Sequence, residues 1–361
     1  MALYEERLAK DLARINEEVA ALSAAVETAF RNAVKACLEG DKLMANAAVI
    51  GDKPINRRTR EISRLCYAFL AVHQPGAGHL RQIASTLRLV AELERIGDYA
   101  VTIARESIQL PHLPSGLIRD ELVDMAEKSQ TCLERAMVAF NQRNAELARD
   151  VAAMAAQAKG RGDMVFTELV EASDKNPEDI RFLFDMLIIM SRLKRVGDRA
   201  KNICEETIFT TTGETKAPGI YKILFLDDAN NCQSQLAEAF ARRAFPNSGE
   251  YSSAGRANNQ DMAPGLMSFM ESQGLVTGPM KPKVLDADVD KASIYDVIVS
   301  FQGPVSNYLP GQPFRTVFLD WNVGDVPQSE DDASQYYMAM YREITAQVRN
   351  LMETLRGPGA D

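Results

Sequence analysis

The chain has 361 residues, more than one ordinary hydrophobic core supports, so two or three domains are expected. Apolar residues make up 46% and charged residues 25%, values of a chain that buries cores and not of a disordered or fibrous one. A formal net charge of −9 excludes a general nucleic-acid binder, whose affinity comes from Lys and Arg neutralising phosphates. The most apolar run, Phe182 to Met190, is nine residues long and interrupted by Asp185, too short for a bilayer, so no membrane insertion is expected. The start, Met1 to Arg7, turns acidic at once and lacks the basic opening and apolar stretch of a secretory signal, which predicts a cytoplasmic protein. Five cysteines, Cys37, Cys66, Cys132, Cys204 and Cys232, are odd in number and show no CxxC spacing, so neither structural disulfides nor a thiolate zinc site is expected.

In chain order, the first part reads as helix almost throughout. Long Ala, Leu and Glu stretches are punctuated at Gly40-Asp41, Gln74-Pro75-Gly76, Pro111 to Pro114 and Lys175-Asn176-Pro177, which implies about six helices. Glu92 to Ser107 and Arg192 to Thr207 share seven identities at an offset of 100 residues. The expected architecture is therefore two three-helix bundles packed side by side, over residues 1–110 and 111–210. Residues 211–219 lack apolar periodicity and read as a linker. From 220 to 361 the pattern changes to short apolar runs, Lys222 to Leu226, Tyr295 to Ser300 and Arg315 to Leu319, separated by helical segments. That alternation predicts an α/β domain with a parallel sheet.

Within the first repeat, Glu94, Asp98 and Thr102 are four residues apart and share one helix face, where two carboxylates either form a solvated acidic surface or share a cation. Gly97 and Gly197 sit inside predicted helices at a cost of about 1 kcal/mol each relative to alanine, offset by a close helix approach or by room for a ligand. The stretch ELERIGDYAVTIARE, preceded by Asp52-Lys53-Pro54-Ile55-Asn56 and by Gln74 to Arg81, resembles the PhoU family of phosphate-uptake regulators, over roughly residues 1 to 210. The resemblance implies a cytoplasmic, usually dimeric helical protein that restrains phosphate-starvation signalling through a phosphate transporter ATPase and a sensor histidine kinase. It also implies multinuclear iron or other metal on paired acidic motifs, one pair per bundle.

Carried over residue by residue, the first pair is Asp52 and Asn56 with Glu94 and Asp98, an oxygen donor set suited to a hard divalent cation or iron. The second set, Asp163, Thr167, Lys194 and Asp198, departs from the family because Lys194 places an ammonium where a carboxylate is usual. A structural ion pair is the expectation there, with Asn202 and Glu205 continuing the face as polar ligands at most. His79 stands where the family usually has an aspartate. Fifteen helical residues put it roughly 22 Å from Glu94, so a surface or capping role is expected. His73 and His112 fall at predicted helix junctions, with no catalytic company.

Ile223 to Ala239 reads as strand, loop and helix start, a natural oxyanion cradle. The segment resembles the C-x5-R-S phosphate loop of low-molecular-weight tyrosine phosphatases and the related arsenate reductases, and Ser253-Ala254-Gly255 and later segments extend the match over about 140 residues. By this resemblance Asp227, Asp228, Asn230, Cys232, Gln233 and Ser234 belong to a vestigial phosphate loop, with Cys232 aligned to the second, non-nucleophilic cysteine. Asp227 stands in place of the nucleophilic cysteine and Gln233 in place of the phosphate-binding arginine. A carboxylate beside Asp228 adds negative charge to a pocket meant for an anion, and neutral Gln233 does not replace a guanidinium. That repulsion would ease in acid if Asp227 titrates near pH 4. Trp321 to Asp325 resembles the segment that carries the family's general acid, which implies that Asp325 is its relic, and no resolving cysteine lies between Gln302 and Pro313.

The expectation is a PhoU-like regulator with a catalytically inactive, phosphatase-like C-terminal domain, used for interaction or sensing, and no organic cofactor. The competing reading is a phosphatase or arsenate reductase controlled by the helical half. A metal-binding protein without signalling partners is a weaker third, and an aspartyl-phosphate enzyme using Asp227 lacks support, since no second aspartate two residues on and no matching lysine accompany it.

Overall fold

The structure is a computed structural model and describes residues 2–157, 180–215, 219–257, 261–275, 281–313, 316–323 and 333–357. It divides into two compact units, Met1–Lys216 and Ala217–Asp361.

The first unit contains α1 (Ala2–Glu39), α2 (Lys42–His73), α3 (Ala77–Gln109), α4 (Gly116–Gln142), α5 (Ala145–Gln157) and α6 (Ile180–Thr212). Along α1 the apolar residues Ile15, Val19, Leu22, Val26, Phe30, Ala33 and Cys37 recur at helical spacing, and all are buried. The break after α1 is made by Gly40, at φ 70°, and by Asp41, whose Oδ1 accepts the Leu43 and Met44 amides at 2.9 Å each to cap α2. Pro54 is accommodated inside α2. The third helices of the two repeats, α3 and α6, pack on each other. Leu93, Ile96, Ala100 and Ile103 of α3 are matched 100 residues later by Leu193, Val196, Ala200 and Ile203 of α6, all fully buried. Equivalent positions even meet, because Arg199 Nε donates to the Tyr99 hydroxyl at 3.3 Å. At Gly97 an added Cβ would lie 3.4 Å from Ile55 Cγ2, so this glycine serves a close approach of α2 to α3.

The start of the expected linker is helical instead. α6 runs on to Thr212, and the Thr210, Thr211 and Thr212 hydroxyls donate to the carbonyls of Glu206, Thr207 and Ile208, four residues back, at 2.8–2.9 Å.

The second unit carries a four-stranded parallel sheet, β1 (Tyr221–Asp227), β2 (Gly249–Gly255), β3 (Val297–Ser300) and β4 (Val317–Asp320), in the order β2-β1-β3-β4. Among its described residues it also carries helices α7 (Gln233–Ala244), α8 (Leu266–Ser272), α9 (Val289–Ala292) and α10 (Ala333–Arg356). Strand alternation sends Ile223 and Phe225 into a core with Leu236, Phe240 and Ile344, while Leu224 and Leu226 join Ile298, Val305 and Leu309 in a second core. β1 is central and buried on both sides, which is why it reads as a continuous apolar run. Its last residue is Asp227, paired in register with Gly255 at the end of β2.

Candidate functional site

The loop from Asp228 to Cys232 leaves the carboxyl end of β1 and feeds directly into α7. Asn230 shapes it from inside. This residue is fully buried and takes the left-handed conformation at φ 50°. Its Nδ2 donates to Ser234 Oγ at 2.8 Å, while its Oδ1 accepts the Lys283 amide at 2.7 Å and Gln235 Nε2 at 3.0 Å. Gly255 permits the loop to pass, since a Cβ there would stand 2.4 Å from the Asn230 amide nitrogen.

Asp227 lies at the centre of this loop, 1% exposed. Its Oδ2 accepts both the Ser234 amide, at 2.9 Å, and the Ser234 hydroxyl, at 2.8 Å. Oδ1 makes no hydrogen bond of normal length and angle, yet the Asn230 and Cys232 amides face the carboxylate closely enough to hold its pKa down. Burial outweighs those amides and raises the carboxyl above the ordinary aspartate range. Normal titration near pH 4 is therefore the wrong expectation for Asp227, because the sequence does not display a desolvation that the surrounding fold creates.

Asp228 also corrects an expectation. Its charge is not unopposed, because it accepts from Arg256 and from the Tyr308 hydroxyl, the latter at 3.0 Å. The Arg256 guanidinium in turn lies 4.8 Å from the centre of the Tyr308 ring. Neither partner was evident from the loop sequence, although Arg256 immediately follows Ser253-Ala254-Gly255. Gln233 is fully buried, and its Nε2 donates to the Val323 carbonyl at 2.8 Å. Cys232 is buried against Met340, with Sγ 3.8 Å from Sδ, and burial followed by the Asp227 charge pushes its thiol far up. That is the opposite of an activated nucleophile. Asp325 lies outside the described residues.

In the helical unit, Asp52 and Asn56 share one face of α2, and Asn56 Nδ2 donates to Asp52 Oδ2 at 2.6 Å. Asp52 Oδ1 and Asn56 Oδ1 are buried without hydrogen-bond partners. Across on α3, burial raises the Glu94 carboxyl, and the charges of Asp98 and Asp52 raise it further, with Arg95 opposing. Burial and Asp52 raise Asp98 likewise. The four side chains thus share one neighbourhood rich in unsatisfied oxygen, a donor chemistry that fits a hard cation. Among the described residues, however, no three Asp, Glu, His or Cys side chains already converge to hold one. Thr102 turns its hydroxyl to the Asp98 carbonyl at 3.0 Å.

Asp163 and Thr167 of the second set lie outside the described residues. Lys194, Asp198 and Glu205 are all engaged by neighbouring groups. Asn202 is turned toward the other repeat, its Nδ2 donating to Glu92 Oε2 at 3.2 Å beside Arg199, which contacts the same oxygen at 3.2 Å. This residue is part of the α3–α6 seam and not a free ligand of the second set. His79 is half-buried in the first turn of α3. His73 is buried, with Nε2 2.8 Å from Asp11 Oδ2, and His112 stacks on Phe182 at 4.1 Å.

Comparison with known proteins follows the same division. The PhoU domain family matches residues 19–107 and 122–207, and the low molecular weight phosphotyrosine protein phosphatase family matches residues 222–358. A phosphate-specific transport system accessory protein PhoU homolog of Pseudomonas putida is 32% identical over 206 residues, which is 56% of this chain and 80% of that protein. Its counterpart in Clostridium acetobutylicum is 28% identical over 205 residues, 56% of this chain and 94% of that one. The crystal structure of PhoU from Pseudomonas aeruginosa has 31% sequence identity and a TM-score of 0.55, covering 57% of this chain and 99% of that chain. Repeated helices, acidic motifs and relatives matched over most of their own length agree: the chain belongs to the PhoU family and carries a C-terminal domain like the low molecular weight phosphotyrosine phosphatases.

Proposed function

We propose that this chain is a cytoplasmic, homodimeric regulator of phosphate uptake and phosphate-starvation signalling, acting on a phosphate transporter ATPase and a sensor histidine kinase. The observation that carries this reading is the tandem helical repeat, whose relatives are named accessory proteins of the phosphate-specific transport system. Among the described residues no helix is long and apolar enough to cross a membrane, so access to a transporter would come by docking. Deleting the protein is expected to derepress or desensitise phosphate uptake, and affinity capture from phosphate-starved and phosphate-replete cells is expected to recover the two partners. Unchanged phosphate-responsive transcription and uptake, with neither partner captured, would overturn the reading.

The C-terminal domain, in this reading, is a pseudophosphatase used for interaction or sensing. Asp227 cannot form the thiophosphate intermediate, and buried Gln233 supplies no charge to a transition state. Losing one such electrostatic donor costs roughly 3 to 4 kcal/mol, about a hundred- to a thousandfold in rate. The match to a phosphatase family over residues 222–358 favours the rival enzyme reading. Turnover of a chromogenic aryl phosphate by the purified protein decides between them. Activity abolished by Asp227→Ala would establish an aspartyl-phosphate enzyme, and activity abolished only by Cys232→Ser would make Cys232 the nucleophile.

Where a divalent metal or iron binds, Asp52, Glu94 and Asp98, with Asn56 beside them, would hold it, and the ion would neutralise carboxylates that now raise one another's pKa. Metal analysis is expected to show loss on combining Glu94→Ala with Asp98→Ala and little change on Asp198→Ala. The opposite ranking would move the site to the second bundle.

A further inference from the structure

The loop between β1 and α7 has the build of an oxyanion cradle and yet already contains a negative group. α7 is 12 residues long, and its N-terminus, with about half a positive charge, points at the carboxyl end of β1. Against the loop sits the Asp227 carboxyl, 1% exposed, which takes the Ser234 amide and hydroxyl on Oδ2. Its other oxygen, Oδ1, is buried and makes no hydrogen bond of normal length and angle, although the Asn230 and Cys232 amides face the carboxyl. The hydrogen-bond chain is complete on one side, from Asn230 Nδ2 to Ser234 Oγ at 2.8 Å and from Ser234 Oγ to Asp227 Oδ2 at 2.8 Å. Gln233 brings no charge into the loop, and the Arg256 cation pairs with Asp228. The donors of the loop therefore match one group with two oxygens, which is what a carboxyl side chain supplies.

We propose that Asp227 is the internal ligand of this cradle: its carboxylate occupies the place of a free oxyanion, holds the loop in its anion-bound shape and excludes inorganic phosphate from it. The loop has kept the architecture of a phosphate site and filled it from within. A site occupied by its own side chain is competent for external ligand only in the small fraction of molecules where that side chain leaves, and the apparent affinity falls by that fraction. This deepens the pseudophosphatase reading, and the test measures binding and not turnover, so the two fail separately. Turnover by the unaltered chain would overturn inactivity, whereas a cradle that stays closed to phosphate after Asp227 is removed would overturn only the internal ligand.

The experiment titrates inorganic phosphate, against chloride at equal ionic strength, into the full chain and three variants, following the Ser234 amide resonance so that binding elsewhere in the molecule does not count. Asp227→Gly empties the cradle and is expected to bind phosphate at least about tenfold more tightly than the unaltered chain. Asp227→Asn removes the charge but still fills the space, and is expected to gain little. If Asp227→Gly does not fold, Asp227→Ser, with a shorter polar side chain, takes its place in the same comparison. Equal phosphate response in the unaltered chain and the emptied variant would sink the proposal. So would a gain in Asp227→Asn as large as that in Asp227→Gly, which would make repulsion, not occupancy, the cause.

Discussion

Gly255 has no side chain, and the loop around Asp227 depends on that. A Cβ there would meet backbone, the Asn230 nitrogen at 2.4 Å, the Ala229 carbonyl carbon at 2.7 Å and the Asp227 oxygen at 3.0 Å, and backbone held by the Lys283–Asn230 hydrogen bond has little freedom to shift. Gly255→Ala is therefore expected to cost the C-terminal unit about 1 to 3 kcal/mol, the range for inserting atoms into packed space, read as a lower urea midpoint. An unchanged midpoint would mean that the loop relaxes without strain. The residues of this loop were legible in the sequence by position, since strand, loop and helix start follow one another within a short segment. Their electrostatics were not. Asp227 and Asp228 look like two like charges in one pocket, but Asp227 ends the strand with Ser234 as its partner, and Asp228, the first loop residue, pairs with Arg256 and Tyr308, 28 and 80 residues further along the chain. Only three-dimensional proximity reveals that partnership.

Helices set the next level of argument, and Gly51 provides its simplest test. It lies within α2 where an added Cβ would meet nothing within 4 Å, unlike Gly97, which faces Ile55. Gly51→Ala is expected to stabilise the helical unit by about 0.5 to 1 kcal/mol by lowering the entropy lost on folding, and a destabilised variant would contradict the open surroundings. The α3–α6 seam makes a different prediction. Burial raises the Glu106 carboxyl first, then the Asp185 charge and a hydrogen bond with Asp185, while Arg192 and Arg181 oppose. A carboxyl with a raised folded-state pKa favours the fold fully below its ordinary value of 4.5 and loses that contribution as pH climbs through the raised value. Glu106→Gln, which cannot ionise, should therefore gain on the unaltered chain between pH 4.5 and neutrality, by no more than about 0.5 kcal/mol because Glu106 is only half-buried. A stability difference that stays constant from pH 4 to pH 7 would remove this coupling. Helix periodicity was readable in advance at the Gly40-Asp41 break and at the offset-100 repeat, whereas the end of α6 was not. Thr210 to Thr212 carry weak helix propensity, and their back-bonds to the preceding turn appear only once the helix exists. Asp185 was noticed only as an interruption of an apolar run; its role at the seam requires Glu106 of the other repeat.

At the scale of the whole chain, the described residues form separate cores. One joins α1 through α6, and the other two flank the sheet of the second unit. No core contains residues from both sides of the boundary at Lys216. Cooperativity follows shared burial, so chains whose cores are separate unfold in separate steps unless their interface couples them. Two fully buried leucines test this, Leu22 in the first core and Leu236 beneath the sheet. Truncating either to alanine removes the transfer free energy of the lost atoms and leaves a cavity, a combined cost of about 2 to 5 kcal/mol. Calorimetry of the full chain is expected to show two transitions, one lowered by Leu22→Ala and the other by Leu236→Ala, each by several degrees. Independent behaviour would let the phosphatase-like unit be destabilised while the helical unit stays folded, so that phosphate-responsive uptake could be assigned to one unit at a time. One transition that both variants lower together would show that the units fold as a single cooperative body, and that a change at Asp227 reaches the helical repeats through stability alone.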